Sequence, residues 1–250
     1  MYTLKKSLGQ HFLIDESISR RIVESVLTHS PARLIEVGPG GGALTKYLLE
    51  LKNIEFKAVE LDQEKVDYLL KTYPAIAGKV INHDFLHLEK PFEGPFSIIG
   101  NFPYNVSTEI LFKILEWKED VQCVVGMLQK EVAQRIAARE GTKIYGVTSV
   151  LLQAFFDVEY LFEVHENAFN PPPAVKSAVI RLTPAVDKPD IKSEKKLALL
   201  VKTAFNQRRK TLRNGVRGLF KPELLEDAIF NKRAEQLSLK DFAALTHLMN

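Results

Sequence analysis

With 250 residues and 46% hydrophobic content, the chain is long enough to bury a core in one large domain, or in one domain with a small appendage, and disorder is not expected. Its lone cysteine, Cys123, excludes an intramolecular disulfide, and no apolar run reaches the roughly 20 residues of a membrane span. The net charge is only +3 but unevenly spread: residues 195–222 hold nine Lys or Arg and no acid, which leaves −6 on the rest and concentrates positive charge as on a surface facing phosphates.

The amino terminus, through Leu13, carries Lys5 and Lys6 with no apolar core behind them, so it does not read as a secretory signal, and a soluble, cytoplasmic protein is expected. Asp15 is placed to cap a helix with Ile18, Ile22, Val23 and Val26 on one face. A short buried strand, Leu34 to Val37, then meets Gly38-Pro39-Gly40-Gly41-Gly42-Ala43 and a helix running through Leu51. Strand, glycine turn and helix form a nucleotide-type site, because glycine lets the backbone approach a ligand and a helix start offers free N–H groups. Glu60 follows about 20 residues on, after the strand Phe56 to Val59, where it could hold ribose hydroxyls. This pattern fits NAD and S-adenosylmethionine (SAM) equally.

A third strand at Val80 and Ile81 leads to Asp84 and Phe85, a pair suited to accept from an adenine amino group and to pack on its ring, though a capping Asp in a polar loop is the plainer reading. The six histidines form no convincing ligand cluster, so no metal is expected. The apolar run Phe96, Ile98, Ile99 ends at Gly100 and delivers Asn101-Phe102-Pro103-Tyr104. An amide, a proline and an aromatic at a strand's carboxyl end suit a planar group bearing an NH2, such as adenine; a simple strand-exit turn is the alternative. A helix through Ile110 to Leu115, a strand from Val121 to Met127 and a polar helix from Gln129 to Arg139 follow. This alternation predicts an α/β fold, a doubly wound parallel sheet with its site at the carboxyl ends of the strands, where Glu36, Glu60, Asp84 and Asn101 all fall.

Residues 147 to 156 read as an apolar helix, Asp157 to Val164 as a strand, and Val175 to Leu182 as another, reached through the stiff loop Phe169-Asn170-Pro171-Pro172-Pro173. Phe169 reads either as a core plug or as an aromatic wall opposite Tyr104. Pro184, Asp187, Lys188, Pro189 and Asp190 mark a boundary, dividing the chain into residues 1–183 and a small, basic, all-helical domain of residues 184–250.

Five segments in order resemble one family, the dimethyladenosine transferases of small-subunit ribosomal RNA. They are Leu8-Gly9-Gln10-His11-Phe12-Leu13, the Glu36 to Gly42 loop, Asn101 to Tyr104, Phe169 to Ser177, and Phe205 to Arg213. The resemblance implies a SAM-dependent methyltransferase domain with a Rossmann-like sheet of seven strands, one of them antiparallel, and a C-terminal RNA-binding domain. It implies SAM contacts at His11, Leu13, Gly38, Gly40, Glu60, Asp84, Phe85 and Asn101, and a catalytic loop of Asn101, Pro103 and Tyr104 with Phe169. It also implies RNA contacts at Arg208, Arg209, Lys210 and Arg213. His11 stands where the family usually has Asn, and His83 where a Gly commonly precedes the acid; modest changes in SAM affinity are expected from both.

The reaction so implied is N6,N6-dimethylation of two adjacent adenosines in a hairpin near the 3′ end of 16S rRNA, on the immature small ribosomal subunit, by a monomer. A large-subunit rRNA adenine methyltransferase shares the SAM and Asn-x-Pro-Tyr motifs and is the alternative enzyme. A ribosome-assembly factor that only binds is the alternative of another class, and an NAD dehydrogenase lacks a proton-transfer constellation at its site.

Overall fold

The computed structural model describes residues 11–250, so Leu8, Gly9 and Gln10 of the N-terminal motif lie outside the described residues. Two units partition the chain: one holds the described residues up to Ala133 together with Glu159–Pro184, the other Gln134–Val158 together with Ala185–Asn250.

The first unit opens with β1 (Phe12–Leu13) and α1 (Glu16–Leu27). Asp15 caps α1 as expected, its carboxylate accepting from the Ser17 and Ile18 N–H groups, and Ile22, Val23 and Val26 are buried. After β2 (Arg33–Val37), the helix expected to run through Leu51 is a single turn, α2 (Thr45–Leu48). Beyond it the chain tightens into three-residue bonds, Glu50 N–H to Tyr47 O and Leu51 N–H to Leu48 O, which end the helix early.

Then follow β3 (Glu55–Glu60), α3 (Gln63–Thr72), β4 (Val80–Asn82), β5 (Phe96–Asn101), α4 (Ser107–Leu115) and β6 (Val121–Gln129). Helix α5 (Lys130–Ile136) and α6 (Val147–Gln153) precede β7 (Phe156–Val164), β8 (Phe169–Asn170) and β9 (Ser177–Pro184).

Seven strands join in the order β4-β3-β2-β5-β6-β9-β7. The pairs from β4 to β6 are parallel, and β9 runs antiparallel to β6 from Val124↔Leu182 to Gln129↔Ser177. Leu34, Ile35, Ile98, Ile99, Val124 and Val125 are wholly buried, which is why these strands read as continuous apolar runs instead of alternating ones. Strand order reverses between β2 and β5, so a crevice is expected at their carboxyl ends.

The second unit contains α6 with α7 (Glu194–Asn206), α8 (Leu212–Gly215) and α9 (Leu239–Leu248). Phe205 on α7 sits between Tyr145, with ring centroids 5.9 Å apart, and Phe242 of α9 at 6.0 Å. The sequence boundary at 183/184 leaves residues 134–158 with the sheet; in the structure they group with the helical unit, where α6 packs on α7, although Phe156 to Val158 also begin the sheet strand β7. Among the described residues no helix is long and apolar enough to cross a membrane.

Candidate active site

A cavity of about 440 Å³ opens at the carboxyl ends of β2, β3 and β5, within the first unit. Its floor is the glycine turn after β2. Gly38 and Gly40 have φ of 67° and 56°, a region in which any L side chain is strained. That geometry turns the Gly40 N–H onto Glu60 Oε2 at 3.1 Å, while Oε1 accepts the Asp62 N–H at 3.1 Å and lies 3.7 Å from Lys65 Nζ. The buried Glu60 carboxylate is thus fixed by two backbone donors, and each oxygen keeps lone-pair capacity for a ligand hydroxyl.

Glu36, at the end of β2, is buried and accepts from Thr45 Oγ1 at 2.7 Å. Burial pushes its carboxyl up to about 8, the Thr45 bond opposing the shift and the Glu60 charge adding to it. On the far side of the cavity Asp84 Oδ1 accepts the Leu86 N–H at 2.9 Å, and Oδ2 lies 3.0 Å from His87 Nδ1. Phe85 lines the same wall and is held edge-on by Trp117, centroids 5.4 Å apart. His83 turns its Nδ1 to the Asp84 carbonyl at 2.8 Å.

The Asn101 to Tyr104 loop splits into an anchor and a rim. Phe102 is 0% exposed; its N–H donates to Met127 O at 3.0 Å, and its ring lies over Gly100 and its cross-strand partner Gly126. A Cβ on Gly126 would come within 2.4 Å of that ring, and one on Gly100 within 2.6 Å of Val37 O. Glycine at both positions makes the space that seats the loop. Asn101 is half-buried, and among the described residues nothing hydrogen-bonds its side-chain amide. Pro103 is exposed at the cavity rim.

The Tyr104 hydroxyl and Ser177 Oγ are hydrogen-bonded at 2.5 Å, and the His11 ring stacks on Tyr104 at 5.8 Å and 29°. His11 Nδ1 in turn lies 2.9 Å from Pro171 O. Burial pushes the Tyr104 phenol above its ordinary value, with the Ser177 bond opposing.

His11, Leu13, Gly38, Gly40, Glu60, Asp84, Phe85, Asn101, Pro103 and Tyr104 all line one cavity. Phe169 does not line it. Its ring is 3% exposed within the apolar core beside Leu13, Ile22 and Val125, because β8 pairs Phe169 with Leu13 and turns only Asn170 outward. The core-plug alternative describes this position, and the aromatic wall opposite Tyr104 is not formed.

In the second unit Arg209 and Lys210 are exposed, whereas Arg208 lies 3.7 Å from Glu235 and Arg213 3.9 Å from Glu226. Sequence reasoning passed over Gly126, although a glycine inside an apolar strand is the ordinary sign of a close approach. It also passed over Thr45, for which no sequence signal exists.

A seven-stranded sheet that reverses at β2 and β5 and carries an antiparallel β9, with a glycine turn and a strand-end acid, is the Rossmann-like architecture shared by SAM-dependent methyltransferases. The family described as ribosomal RNA adenine dimethylase matches residues 1–250, and the chain belongs to it. The chain is therefore an rRNA adenine dimethyltransferase whose methyl donor is SAM. A relative from Phocaeicola vulgatus, named ribosomal RNA small subunit methyltransferase A, is 52% identical over 248 residues, covering 97% of this chain and 88% of its own. Among solved structures, a dimethyladenosine transferase from Plasmodium falciparum aligns with TM-score 0.79 at 23% identity, over 96% of this chain and 99% of that one. The 23S rRNA methyltransferase ErmE aligns with TM-score 0.68 at 24% identity, over 93% and 99%. Both structures share the fold, and their identity is too low to carry more.

Proposed function

We propose that the chain dimethylates N6 of two adjacent adenosines near the 3′ end of small-subunit rRNA, acting in the cytoplasm as a monomer on the immature small subunit. The observation that carries this reading is that the Asn101 to Tyr104 loop opens onto the same cavity as the glycine turn and Glu60. Identity of 52% to a small-subunit enzyme favours that substrate over large-subunit rRNA. The donor set fits SAM: Glu60 for the ribose hydroxyls, Asp84 and Phe85 for the adenine, and His11, Leu13, Gly38, Gly40 and Asn101 for the remaining contacts. When bound, SAM would supply a methyl group on its sulfonium: the N6 lone pair would form the N–C bond as the S–C bond breaks, S-adenosylhomocysteine would leave, and the surplus N6 proton would pass to water.

The chain's own task is to supply that lone pair. The N6 nitrogen of adenine is a weak nucleophile because its electrons are delocalised into the ring. The Asn101 side-chain oxygen accepts one N6 hydrogen. Pro103 O is already engaged by the Val106 N–H at 3.1 Å, while among the described residues the Phe102 carbonyl accepts nothing, so Phe102 O takes the second. Two acceptors in these directions draw the lone pair out of conjugation and orient it, without a base. Tyr104 stacks on the adenine, which must leave any helical stack to reach it. Phe169 supports the site by seating β1, and with it Leu13, instead of touching the base. Arg209 and Lys210 contact RNA phosphates, with Arg208 and Arg213 beside them.

Incubation of the protein and SAM with unmethylated small subunits, followed by nucleoside mass analysis, tests the reading. Dimethyladenosine is the expected product, and monomethyl product alone overturns it. Asn101→Ala should lower kcat while SAM binding stays largely intact; an equal loss of SAM binding would confine Asn101 to the cofactor.

A further inference from the structure

Ser177 opens β9 opposite Gln129 of β6 and is wholly buried, so its hydroxyl needs a partner inside the protein. It finds one in the Tyr104 hydroxyl, 73 residues away in sequence and 2.5 Å away in space. Tyr104 sits in a turn closed by the Val106 N–H on Pro103 O at 3.1 Å, and its own carbonyl accepts from Ser107 Oγ at 3.4 Å, so its backbone is held and the plane of the ring is left to the groups that touch the ring. His11 covers one ring face and is itself tied to Pro171 O. The ring is therefore restrained at its far end by β9 and on one face by the N-terminal arm.

We propose that Ser177 is a positioning residue for methyl transfer: by holding the Tyr104 hydroxyl, it fixes the plane on which the target adenine stacks. The proposal rests on the reading of Tyr104 as the base-stacking residue. Stacking tolerates sequence but not tilt, and a shift of about 1 Å in a reacting pair costs on the order of 100-fold in rate. The bond also defines what the phenol does. Tied to Ser177, the phenol serves as a strut.

If Ser177 acts only through the Tyr104 hydroxyl, removing either end of the bond removes the same thing. The test measures kcat on unmethylated small subunits, SAM Kd and thermal melting for Ser177→Ala, Tyr104→Phe and the double variant. Ser177→Ala should lower kcat about three- to tenfold, the range of one net hydrogen bond, and leave SAM Kd within about twofold. Tyr104→Phe should do the same, and the double variant should fall no further than either single. Losses that multiply in the double variant, or a wild-type kcat in Ser177→Ala, would overturn the proposal. Should Ser177→Ala fail to fold, Tyr104→Phe decides alone, since it deletes the bond without touching β9 and a wild-type kcat there is equally fatal. Tyr104→Ala separates the two readings: unimpaired transfer in that variant refutes base stacking itself, whereas impaired transfer beside a normal Ser177→Ala refutes only the strut.

Discussion

Gly126→Ala is the sharpest perturbation the fold offers, because one methyl group separates two opposite expectations. In an ordinary strand, replacing glycine by alanine is favourable by roughly 0.5–1 kcal/mol, since the unfolded chain has less freedom to lose. Gly126 lies outside the positive-φ glycines, so its backbone accepts alanine without strain. The obstacle is Phe102. The added Cβ would stand 2.4 Å from Cε2 and 3.0 Å from Cδ2 and Cζ of the ring, against about 3.5–4.0 Å for carbon atoms in contact. The opposite edge of the ring lies over Gly100, whose Cβ position is 2.8 Å from Cε1, so the ring rests on both glycines at once. Overpacking of this kind costs about 1–3 kcal/mol, or about 2–12 °C of Tm for a chain of this size. Displacement of Phe102 also moves the adjoining Asn101 amide, so kcat should fall by on the order of 100-fold while SAM Kd changes little. Thermal melting with single-turnover methylation reads both quantities. Adding Phe102→Leu to Gly126→Ala should recover part of the lost stability, although Phe102→Leu alone destabilises. A Gly126→Ala protein that melts higher than wild type and methylates normally would refute the seat assigned to Phe102.

The other predictions use the same site and the basic helix region. Glu60→Gln should weaken SAM roughly 10- to 100-fold, the range of charge-assisted bonds to ribose hydroxyls, with RNA affinity unchanged; calorimetric titration checks it, and an unaltered Kd removes Glu60 from the ribose role. Replacing exposed Arg209 and Lys210 by Gln should reduce the salt slope of RNA binding by about 0.7–0.9 per lost phosphate contact, and a constant slope would make them a solvated surface. For Glu36, whose folded carboxyl sits near 8 against an ordinary 4.5, the native state holds the proton more tightly than the unfolded chain. Its contribution is complete below pH 4.5 and is lost as pH rises to about 8, so Glu36→Gln should gain stability relative to wild type between about pH 4.5 and pH 8 in urea melts and hold that gain above; parallel curves would disprove the buried neutral carboxyl.

Strand-end residues were legible in the sequence for a physical reason. A parallel strand buried on both faces must read as an unbroken apolar run, so the first polar residue after it marks the sheet edge where ligands bind. Glu60 and Asn101 stand out that way and line the cavity, whereas Asp84 lies three residues past Ile81 of the partly exposed edge strand β4 and is legible only through its pairing with Phe85. Phe169 could not be resolved by the same logic, because a two-residue strand has no alternation from which to tell its inner face. The grouping of α6 with α7 was not legible, because the apolar stripe of α6 would suit a sheet face as well as α7, and only packing distinguishes them.

Within the Asn101 to Tyr104 loop the sequence shows two aromatic side chains and a proline, and nothing in their order says which ring anchors and which is offered. The answer depends on Gly126, 24 residues downstream of Phe102 and adjacent only because β5 and β6 pair. That division of labour bears on the chemistry. Of the cavity groups whose ionisation the fold shifts, Glu36 and Tyr104 both move toward the neutral form, and both are held by a neighbouring hydroxyl, Thr45 and Ser177. On the proposed reading, a loop of neutral acceptors takes no part as a base and selects the geometry in which N6 is nucleophilic. Rigidity then matters more than basicity. This is why, on the proposed reading, the loop's buried anchor should control the rate strongly and the serine that pins its rim more modestly, although neither touches the base.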